Sequence, residues 1–340
     1  MLDVLVIGGG LSGCLLAWRL RQAGHRILVL DAVQGPLAPA WAVAAGLAAP
    51  VTGQRATLLP QAAETLRGAL DLYATLANDL GQTFWRPRSI VRCFFDKDEA
   101  LRWQKRCGES DFVPYLRPLS LKTLAEGPSL QPVVAAFEIL GGGHLNINAL
   151  VPAMQSQFFA RGELKKSLFL TSDFSVHENH VQWRDIQARH AIFCEGVGAR
   201  HNSLFPPLPF HTTRGELLEL DIPGLHSERV FYGRHFLIPL GDDHYLCGAT
   251  YDRQDLISDS SAAGRAELEN GLQALLRIPY KVTGQRCGLR PNVRGHEALW
   301  QRHPTQPRLW RLNGLGSKGA WSAPGLTLRA SQEIGSALSA

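Results

Sequence analysis

The sequence contains two glycine clusters, and the one near its start constrains the fold more than any other feature. An apolar run at residues 4–7 leads into the turn sequence GGGLSG at residues 8–13, and a second apolar run ends at Asp31. This order predicts a strand, a tight turn, a helix, a second strand and an acid about 20 residues after the glycines. The pattern is typical of a βαβ unit that binds a dinucleotide.

Each glycine of the turn has a predicted role in such a site. Gly8 and Gly10 allow a tight turn and a close approach of the backbone to a pyrophosphate, and Gly13 lets the helix pack on the strand. Asp31 is placed to accept hydrogen bonds from a ribose. The predicted cofactor-binding residues of this segment are Gly8, Gly10, Leu11, Ser12, Gly13 and Asp31.

Composition excludes several classes of protein. Of the 340 residues, 45% are hydrophobic and 19% are charged, which predicts a folded, soluble protein large enough for two lobes. The formal net charge is +5, but the arginines are scattered, which favours a solvated surface over a nucleic-acid interface. The start of the chain lacks a basic segment and no apolar run reaches transmembrane length, so we expect a cytoplasmic protein without membrane contact.

The cysteine pattern gives no sign of a metal site. The six cysteines form no Cys-x-x-Cys pair, and several lie in apolar, strand-like runs. We interpret them as buried thiols in a reducing compartment and not as disulfides or metal ligands.

The order of predicted elements indicates two interleaved lobes. Nucleotide-binding elements occur at the start, near residues 188–199 and at the end, and antiparallel strands are predicted between them at 214–221, 229–240 and 244–250. The expected fold is α/β, with a Rossmann-type dinucleotide-binding lobe and an inserted β-rich, antiparallel substrate lobe. The first lobe is assigned to residues 1–85, 146–210 and 285–340, and the second to residues 86–145 and 211–284.

Short motifs over nearly the whole chain carry a family resemblance. Besides the turn and Asp31 they are AAGL at 44–47, GHLN at 143–146, CEGVGA at 194–199, RGE at 214–216, FLIP at 236–239, GAT at 248–250, GLRP at 288–291 and GLGSKG at 314–319. In this order the motifs resemble the D-amino-acid-oxidase type of FAD-dependent oxidoreductase, which includes glycine oxidase and sarcosine oxidase. Each motif is short, and the ordered set carries the resemblance.

The resemblance implies FAD as the cofactor. Cys287 lies near the place where some relatives attach flavin covalently, but the surrounding pattern differs from theirs, so we expect non-covalent FAD. The further cofactor-binding residues implied are Ala45, Gly46, Leu47, Gly196, Gly198, Gly288, Arg290, Gly314, Gly316, Ser317, Lys318 and Gly319.

The resemblance also implies a reaction, the oxidation of a C–H bond next to an amine nitrogen with hydride passing to flavin N5. Arg290 lies where glycine oxidase places its carboxylate-binding arginine, and its planar fork suits a substrate carboxylate. The alternative is an arginine that ties two lobes together. Lys318, in the first turn of the last predicted helix, would stabilise negative charge at flavin N1 and C2=O, unless backbone amides do so alone. Arg290 and Lys318 are the predicted catalytic residues.

Other segments supply further candidates. Arg55 and Tyr251 join Arg290 as predicted substrate-binding residues, with a surface position and a core position as their respective alternatives. Tyr232 is a second aromatic residue that either covers the site or belongs to the core. His235 and His296 are candidate proton acceptors, with structural roles as the alternative.

The substrate is the least constrained prediction. RGE and NGLGSKG most resemble the flavin domain of the bifunctional bacterial enzymes that modify the tRNA wobble uridine, which remove a carboxymethyl group from an aminomethyl nitrogen. After Pro291 the family commonly has an Asp and an apolar-Gly pair, whereas residues 292–300 here read NVRGHEALW. We expect oxidation of a C–N bond in an amino acid or secondary amine, with O2 as acceptor. A tRNA-directed oxidoreductase and a non-catalytic flavin-bearing subunit are the alternatives, and the oligomeric state stays open.

Overall fold

The computed structural model describes residues 1–32, 38–125, 129–256, 259–294 and 298–339. Its α-helices are α1 (Leu11–Gln22), α2 (Ala62–Leu80), α3 (Lys97–Cys107), α4 (Leu121–Ala125), α5 (Ile147–Ala160), α6 (Ala262–Leu275) and α7 (Gly319–Ser339). Short 3-10 helices lie at Ala40–Val43, Thr171–Asp173 and Gly196–His201.

The strands of the described residues form two large and two small sheets. They are β1 (Leu2–Ile7), β2 (Ile27–Asp31), β3 (Leu47–Ala48), β4 (Val51–Thr52), β5 (Thr57–Leu58), β6 (Trp85–Pro87), β7 (Ile90–Phe94), β8 (Leu116–Leu119), β9 (Ala135–Ile139), β10 (Gly143–Leu145), β11 (Leu164–Lys166), β12 (Phe174–Val176), β13 (Val181–Trp183), β14 (Ile186–Phe193), β15 (Thr213–Asp221), β16 (Val230–Tyr232), β17 (Phe236–Gly241), β18 (His244–Gly248), β19 (Lys281–Arg290), β20 (Leu299–Arg302) and β21 (Leu309–Asn313).

The first large sheet is built around five parallel strands. Strands β11, β2, β1, β14 and β21 are neighbours in that order, and every pair among them is parallel. Val4 and Val6 of β1 pack into one buried cluster with helices α1, α5 and α7, whereas Leu5 and Ile7 pack into a second cluster on the opposite face. This alternation follows from the strand geometry, and it buries the sheet on both sides as a parallel sheet requires.

The second large sheet forms the other lobe. Its order is β19-β15-β18-β17-β16-β7-β9-β8, and every pair is antiparallel except β16 with β7. One face, here called the outer face, packs on α6 through Leu218, Leu268 and Leu272. The opposite, inner face packs through Ile90 and Phe94 on α3 and the β4–β5 hairpin.

The inner face meets the first lobe at Ala40–Val43. A Cβ atom at Gly288 would overlap the Val43 side chain, so the close approach of β19 to this segment requires glycine. Two residues away, Nη1 of Arg286 donates to the carbonyl oxygen of Ala42 at 3.1 Å. The antiparallel sheet is therefore fixed directly against the segment that follows the first βαβ unit.

The predicted strand at 229–240 is wrong in one respect, because it is divided into β16 and β17. The N–H of Gly233 donates to the carbonyl oxygen of His235 at 3.1 Å and closes a turn at 233–235. In the sequence, the turn is marked by Gly233 and by the polar residues Arg234 and His235 between two apolar segments. The turn places Tyr232 opposite Phe236.

The predicted α/β fold with a parallel and an antiparallel part is confirmed. The assignment of residues to lobes stays a proposal, and its boundary between residues 284 and 285 lies within β19. Residues 285–290 of that strand remain paired with β15 in the antiparallel sheet. In the part of the chain that is described, no helix has the length and apolar character needed to cross a membrane.

Candidate cofactor and substrate site

The first glycine turn lies at the end of β1. Gly8 has a φ of +106°, and a Cβ atom there would overlap the carbonyl group of Cys194. A Cβ atom at Gly13 would overlap the carbonyl oxygen of Gly8, so α1 can begin directly against β1 only with glycine. A Cβ atom at Gly10 would meet only Trp41, at 3.5 Å. Packing thus requires glycine at positions 8 and 13, whereas Gly10 leaves room beside the turn.

The carboxylate of Asp31 is held beside this turn. Its Oδ1 accepts the N–H of Gly9 at 2.9 Å, and its Oδ2 accepts from Nζ of Lys166 at 2.7 Å and Nε2 of Gln155 at 3.2 Å. Sequence reasoning missed Lys166 and Gln155, which come from β11 and α5. Asp31 therefore has a fixed orientation at the position where the dinucleotide pattern places a ribose.

The second glycine cluster lies at the same edge of the parallel sheet. Gly314 and Gly316 follow β21 with φ values of +79° and +53°, and a Cβ atom at Gly316 would overlap Oδ1 of Asn292. The side chain of Asn313 donates to the carbonyl oxygen of Gly196 at 2.8 Å, which joins the loops after β21 and β14. The carboxyl ends of β1, β2, β14 and β21 thus form one continuous edge, here called the carboxyl edge.

Two helices begin at the carboxyl edge. A Cβ atom at Gly319, the first residue of α7, would lie 3.5 Å from Leu11, the first residue of α1. Helix N-termini favour phosphate groups because their N–H groups are unpaired and the helix dipole is positive there. Ser12 and Lys318 are half-buried at these two starts, and Ser317 is exposed.

The loop with Ala45, Gly46 and Leu47 packs on β10. Gly46 has a φ of +64°, and a Cβ atom there would overlap the carbonyl oxygen of Leu145. The N–H of Leu145 donates to the carbonyl oxygen of Gly46 at 2.9 Å. The loop therefore offers backbone and small side chains, which suit the surface of a flat ring.

These residues fit FAD. The carboxyl edge combines glycines that bring backbone to the surface, two helix N-termini and an oriented carboxylate, and these are the groups that a dinucleotide requires. Gly198 lies in the 3-10 helix Gly196–His201 that follows β14, beside the same edge. The sequence predicted this set because its parts are encoded locally.

Arg290 lies at the end of β19, with its side chain along the inner face. A Cβ atom at Gly215 would overlap its guanidinium group, and Nη1 donates to the carbonyl oxygen of Thr250 at 3.1 Å. The guanidinium lies 4.2 Å from the ring centre of Tyr251, which is 63% exposed. Burial lowers the pKa of Arg290, and no carboxylate among the described residues lies within 4 Å of it. The structure thus brings two predicted substrate residues together.

Sequence reasoning missed a second cation on the inner face. Arg92 lies on β7 opposite Tyr232 of β16 and is only 7% exposed. Its guanidinium lies 4.5 Å from the ring centre of Tyr232, 5.1 Å from that of Phe94 and 5.9 Å from that of Trp103. Nη1 donates to the carbonyl oxygen of Gly233, and Nε has no partner in the part of the chain that is described. The only signal in the sequence is an arginine inside an otherwise apolar strand.

Arg55 lies in the exposed turn of the β4–β5 hairpin. The adjacent carbonyl oxygen of Gln54 accepts a hydrogen bond from Nε1 of Trp103 at 3.3 Å, so this turn is attached to the rings around Arg92. The backbone of this turn therefore lies beside the rings around Arg92, while the Arg55 side chain is exposed. A role for Arg55 in substrate binding stays a prediction.

The remaining candidates are less favourable for chemistry. His235 packs against α6 on the outer face, with Nε2 at 3.6 Å from Oε1 of Glu267, and burial lowers its pKa. This position favours the structural alternative. His296 lies outside the described residues. Burial raises the pKa of the Cys287 thiol. Among the residues that are described, no group of three His, Cys, Asp or Glu side chains could hold a metal ion.

The RGE segment holds a structural ion pair. Nη2 of Arg214 lies 3.0 Å from Oε1 of Glu216 and 3.4 Å from Oδ2 of Asp252. The Glu216 carboxylate also accepts hydrogen bonds from Ser261 and Gln285. Both partners of this pair are buried. Arg214 therefore has a buried acid beside it, whereas Arg290 has no acid within 4 Å among the described residues.

One ionisable group of the carboxyl edge is strongly perturbed. Burial raises the pKa of Glu195, which follows β14, to about 7. The side-chain amide of Asn202 donates to its Oε2 at 2.7 Å and offsets part of that shift. Glu195 is therefore partly protonated at neutral pH.

Comparison with known proteins identifies the family. The chain matches the DAO family model, described as FAD dependent oxidoreductase, over residues 3–329. It is 25% identical over 336 residues to the bifunctional tRNA 5-methylaminomethyl-2-thiouridine biosynthesis protein of Idiomarina loihiensis, covering 95% of this chain but only 54% of that protein. The chain thus spans about half the length of that relative. It is 24% identical over 339 residues to glycine oxidase of Bacillus licheniformis, covering 95% of this chain and 90% of the enzyme.

Solved structures share the fold. Glycine oxidase of Bacillus cereus has a TM-score of 0.83 and 17% identity, with 99% of this chain and 96% of the enzyme covered. Iminodiacetate oxidase of Chelativorans sp. BNC1 has a TM-score of 0.81 and 20% identity, with coverages of 98% and 95%. The family match extends over nearly the whole chain and agrees with the FAD cradle at the carboxyl edge. The chain therefore belongs to the DAO family of FAD-dependent oxidoreductases.

Proposed function

We propose that this oxidoreductase acts on the carbon–nitrogen bond of an amino acid or of a secondary amine that carries a carboxylate. The observation that carries the proposal is Arg290, a largely buried cation without a carboxylate neighbour among the described residues. A buried charge normally has a counter-ion, and the planar guanidinium matches a carboxylate. The substrate carboxylate would be that counter-ion.

Bound FAD would supply the oxidising power. In the reaction, the substrate carbon gives up a hydride and its nitrogen gives up a proton. Water then hydrolyses the resulting imine. Arg290 binds the carboxylate, and the exposed ring of Tyr251 covers the pair. Arg55 adds positive charge from the hairpin turn. Lys318, at the start of α7, adds positive charge at the carboxyl edge, where negative charge developing during oxidation would be stabilised. We take O2 as the final electron acceptor.

Anaerobic titration of the FAD-loaded protein with amines tests the proposal through the loss of flavin absorbance. Glycine and N-alkylglycines should reduce the flavin, and neutral amines of the same size should not. Arg290→Ala should weaken the response to carboxylate-bearing amines by about 2–5 kcal/mol, and Arg290→Lys should recover only part of it because a point charge cannot replace the fork.

The matched control is Arg302→Ala, which removes an arginine stacked 5.0 Å from the ring centre of Trp310, outside the antiparallel sheet. This variant should behave as the wild type does. If Arg290→Ala keeps its FAD and its preference for acidic amines, Arg290 is not the anchor.

A second candidate function is supported by the similarity to the tRNA-modifying relative. In this alternative, the oxidised amine is the carboxymethylaminomethyl group of a wobble uridine, and tRNA is the partner. Total tRNA in the same anaerobic assay separates the two, because reduction by tRNA and not by free amines would favour this candidate. If neither free amines nor tRNA reduces the flavin, the result would favour the third alternative, a non-catalytic flavin-bearing subunit.

We also propose non-covalent FAD and a cytoplasmic location. All six cysteines lie within the described residues, and no disulfide joins them there, in keeping with a reducing compartment. Release of FAD on mild denaturation tests the first point.

A further inference from the structure

The inner face holds two guanidinium groups that lack an acid. Neither Arg92 nor Arg290 has a carboxylate within 4 Å among the described residues, whereas Arg214 on the outer face has three, those of Glu216, Asp252 and Asp255. Burial of an unpaired charge is unfavourable, and buried charges in proteins are normally paired. Glu99 acts on Arg92 only at longer range. A ligand anion at each arginine would remove this cost.

Each of the two arginines lies against a tyrosine ring. The ring of Tyr232 lies on Arg92, and the ring of Tyr251 lies on Arg290. Burial raises the pKa of Tyr232, and the guanidinium of Arg92 offsets part of that rise. Arg92 extends from β7 to β16, and Arg290 extends from β19 to the residues after β18. The remaining gap is two strand spacings, roughly 10 Å.

We infer that Arg92 binds a second anionic group of the substrate while Arg290 binds the carboxylate beside the oxidised carbon–nitrogen bond. The inference rests on the proposed function and names its substrate class: secondary amines with a carboxylate on each nitrogen substituent, the N-(carboxyalkyl) amino acids. The rings around Arg92 keep water from the guanidinium, so an uncharged substituent would leave that cation unpaired and be disfavoured.

The surroundings of Arg92 favour a small carboxylate over a nucleic-acid backbone. Phosphate backbones are bound by several exposed cations, and their affinity depends on the number of such contacts. Arg92 is 7% exposed and enclosed by Phe94, Trp103 and Tyr232. A single buried cation of this kind matches one carboxylate and not a row of phosphates.

The test compares pairs of substrates that differ only in the second carboxylate. One series consists of N-(carboxyalkyl)glycines with the second carboxylate one, two or four carbon atoms from nitrogen, and the other consists of N-alkylglycines of the same lengths. In the wild type, the best acidic member should reduce the flavin with a kcat/KM at least roughly 30-fold above its neutral partner. Arg92→Met should bring that ratio close to one by lowering the kcat/KM of the acidic member.

Arg106→Met is the matched control. Arg106 also lies beside an aromatic ring, 5.1 Å from the ring centre of Phe112, but on α3 and paired with Glu109 at 2.7 Å. This variant should keep the wild-type ratio. If the wild type shows no preference for the second carboxylate, or if Arg92→Met keeps it, the inference is wrong while the proposed function stands.

A second readout does not depend on turnover. Dicarboxylates without an amine should raise the melting temperature of the FAD-loaded wild type more than monocarboxylates do, and Arg92→Met should lose this difference. If no amine reduces the flavin, the proposed function fails, and this measurement still decides whether Arg92 binds an anion. Reduction by tRNA alone would overturn the dicarboxylate class.

Discussion

At the carboxyl edge of the parallel sheet, the binding surface is backbone, and the polar side chain that faces it is already partnered. Gly8, Gly13 and Gly46 are required by packing, and Asp31 is held by three donors. On the inner face of the antiparallel sheet, the proposed binding surface consists of side chains, and its cations Arg92 and Arg290 lack acids among the described residues. The polar side chain at the carboxyl edge has its hydrogen-bond partners without a ligand, whereas the cations of the inner face lack a counter-ion among the described residues.

The difference indicates that cofactor binding and substrate binding use different kinds of protein group. A cofactor that never changes can be held by a preorganised cradle, whereas a substrate must supply something that the empty site lacks. Groups that are paired inside the protein stabilise the fold, and groups left unpaired select the ligand. Each prediction below compares a paired group or a required glycine with its counterpart.

The largest effect is expected from the two arginines on opposite faces of the same strand pair. Arg214→Met leaves the buried Glu216 carboxylate without its cation and should lower the free energy of unfolding by about 3–5 kcal/mol. Arg290→Met removes a cation that has no acid within 4 Å among the described residues, and it should change the free energy of unfolding by less than about 1 kcal/mol. Urea unfolding measures the stability of both variants. Equal losses of stability would contradict the idea that the paired arginine stabilises the fold and the unpaired arginine does not.

The carboxyl edge offers a matched pair of helical glycines. Gly13→Ala would place a Cβ atom on the Gly8 carbonyl and should cost roughly 3 kcal/mol together with most of the bound FAD. Gly68→Ala in α2 meets nothing within 4 Å and should be neutral or stabilise by up to about 1 kcal/mol, because alanine has the higher helix propensity. Flavin content and thermal unfolding test both variants. A tolerated Gly13→Ala would contradict the packing argument.

Glu195 is an exception to the paired character of the carboxyl edge. The unfolded chain releases this proton near pH 4.5, whereas the folded protein keeps it to about pH 7, so this group lowers the unfolding free energy as pH rises between these values. Glu195→Gln should therefore stabilise the protein at pH 8 by about 2 kcal/mol and have little effect at pH 4.5. His144 and His190, whose pKa values burial lowers to about 4, give the opposite trend, so the difference between variant and wild type is the quantity to measure.

The smallest effect is expected at the ion pair of Lys166 and Asp31. Because both side chains are partly exposed, the pair should contribute only about 0.2–1 kcal/mol to holding the carboxylate in place. Lys166→Met should weaken FAD retention by no more than that, and the difference should shrink as salt is raised. Dialysis followed by absorbance of the retained flavin measures it. A complete loss of FAD would show that Lys166 contacts the cofactor itself.

The sequence predicted the carboxyl edge because its determinants are local. Gly8, Gly13 and Asp31 lie within one βαβ unit, and their order alone implies the geometry. Lys166 and Gln155 were missed because they reach Asp31 from an edge strand and a helix far along the chain. No short pattern marks such contacts.

The inner face was only partly predicted. Arg290 was identified by its motif, but its stacking on Tyr251 follows from two strands that are separate in sequence. Arg92 and Tyr232 become neighbours because β7 and β16 pair in parallel, across about 140 residues of chain. The turn at 233–235 brings Phe236 opposite Tyr232.

The contact between Gly288 and Val43 has a kinetic consequence. It joins the antiparallel sheet to the segment after the first βαβ unit at a point where no side chain can be inserted. A hinge opening of the two lobes would have to separate this contact, so we expect entry by a smaller movement. Tyr251, with most of its ring in solvent, can rotate on the picosecond to nanosecond timescale of exposed side chains. Substrate would then reach Arg290 past one mobile ring, and a smaller residue at that position would open this path and also weaken binding, because the stacking on Arg290 would be lost.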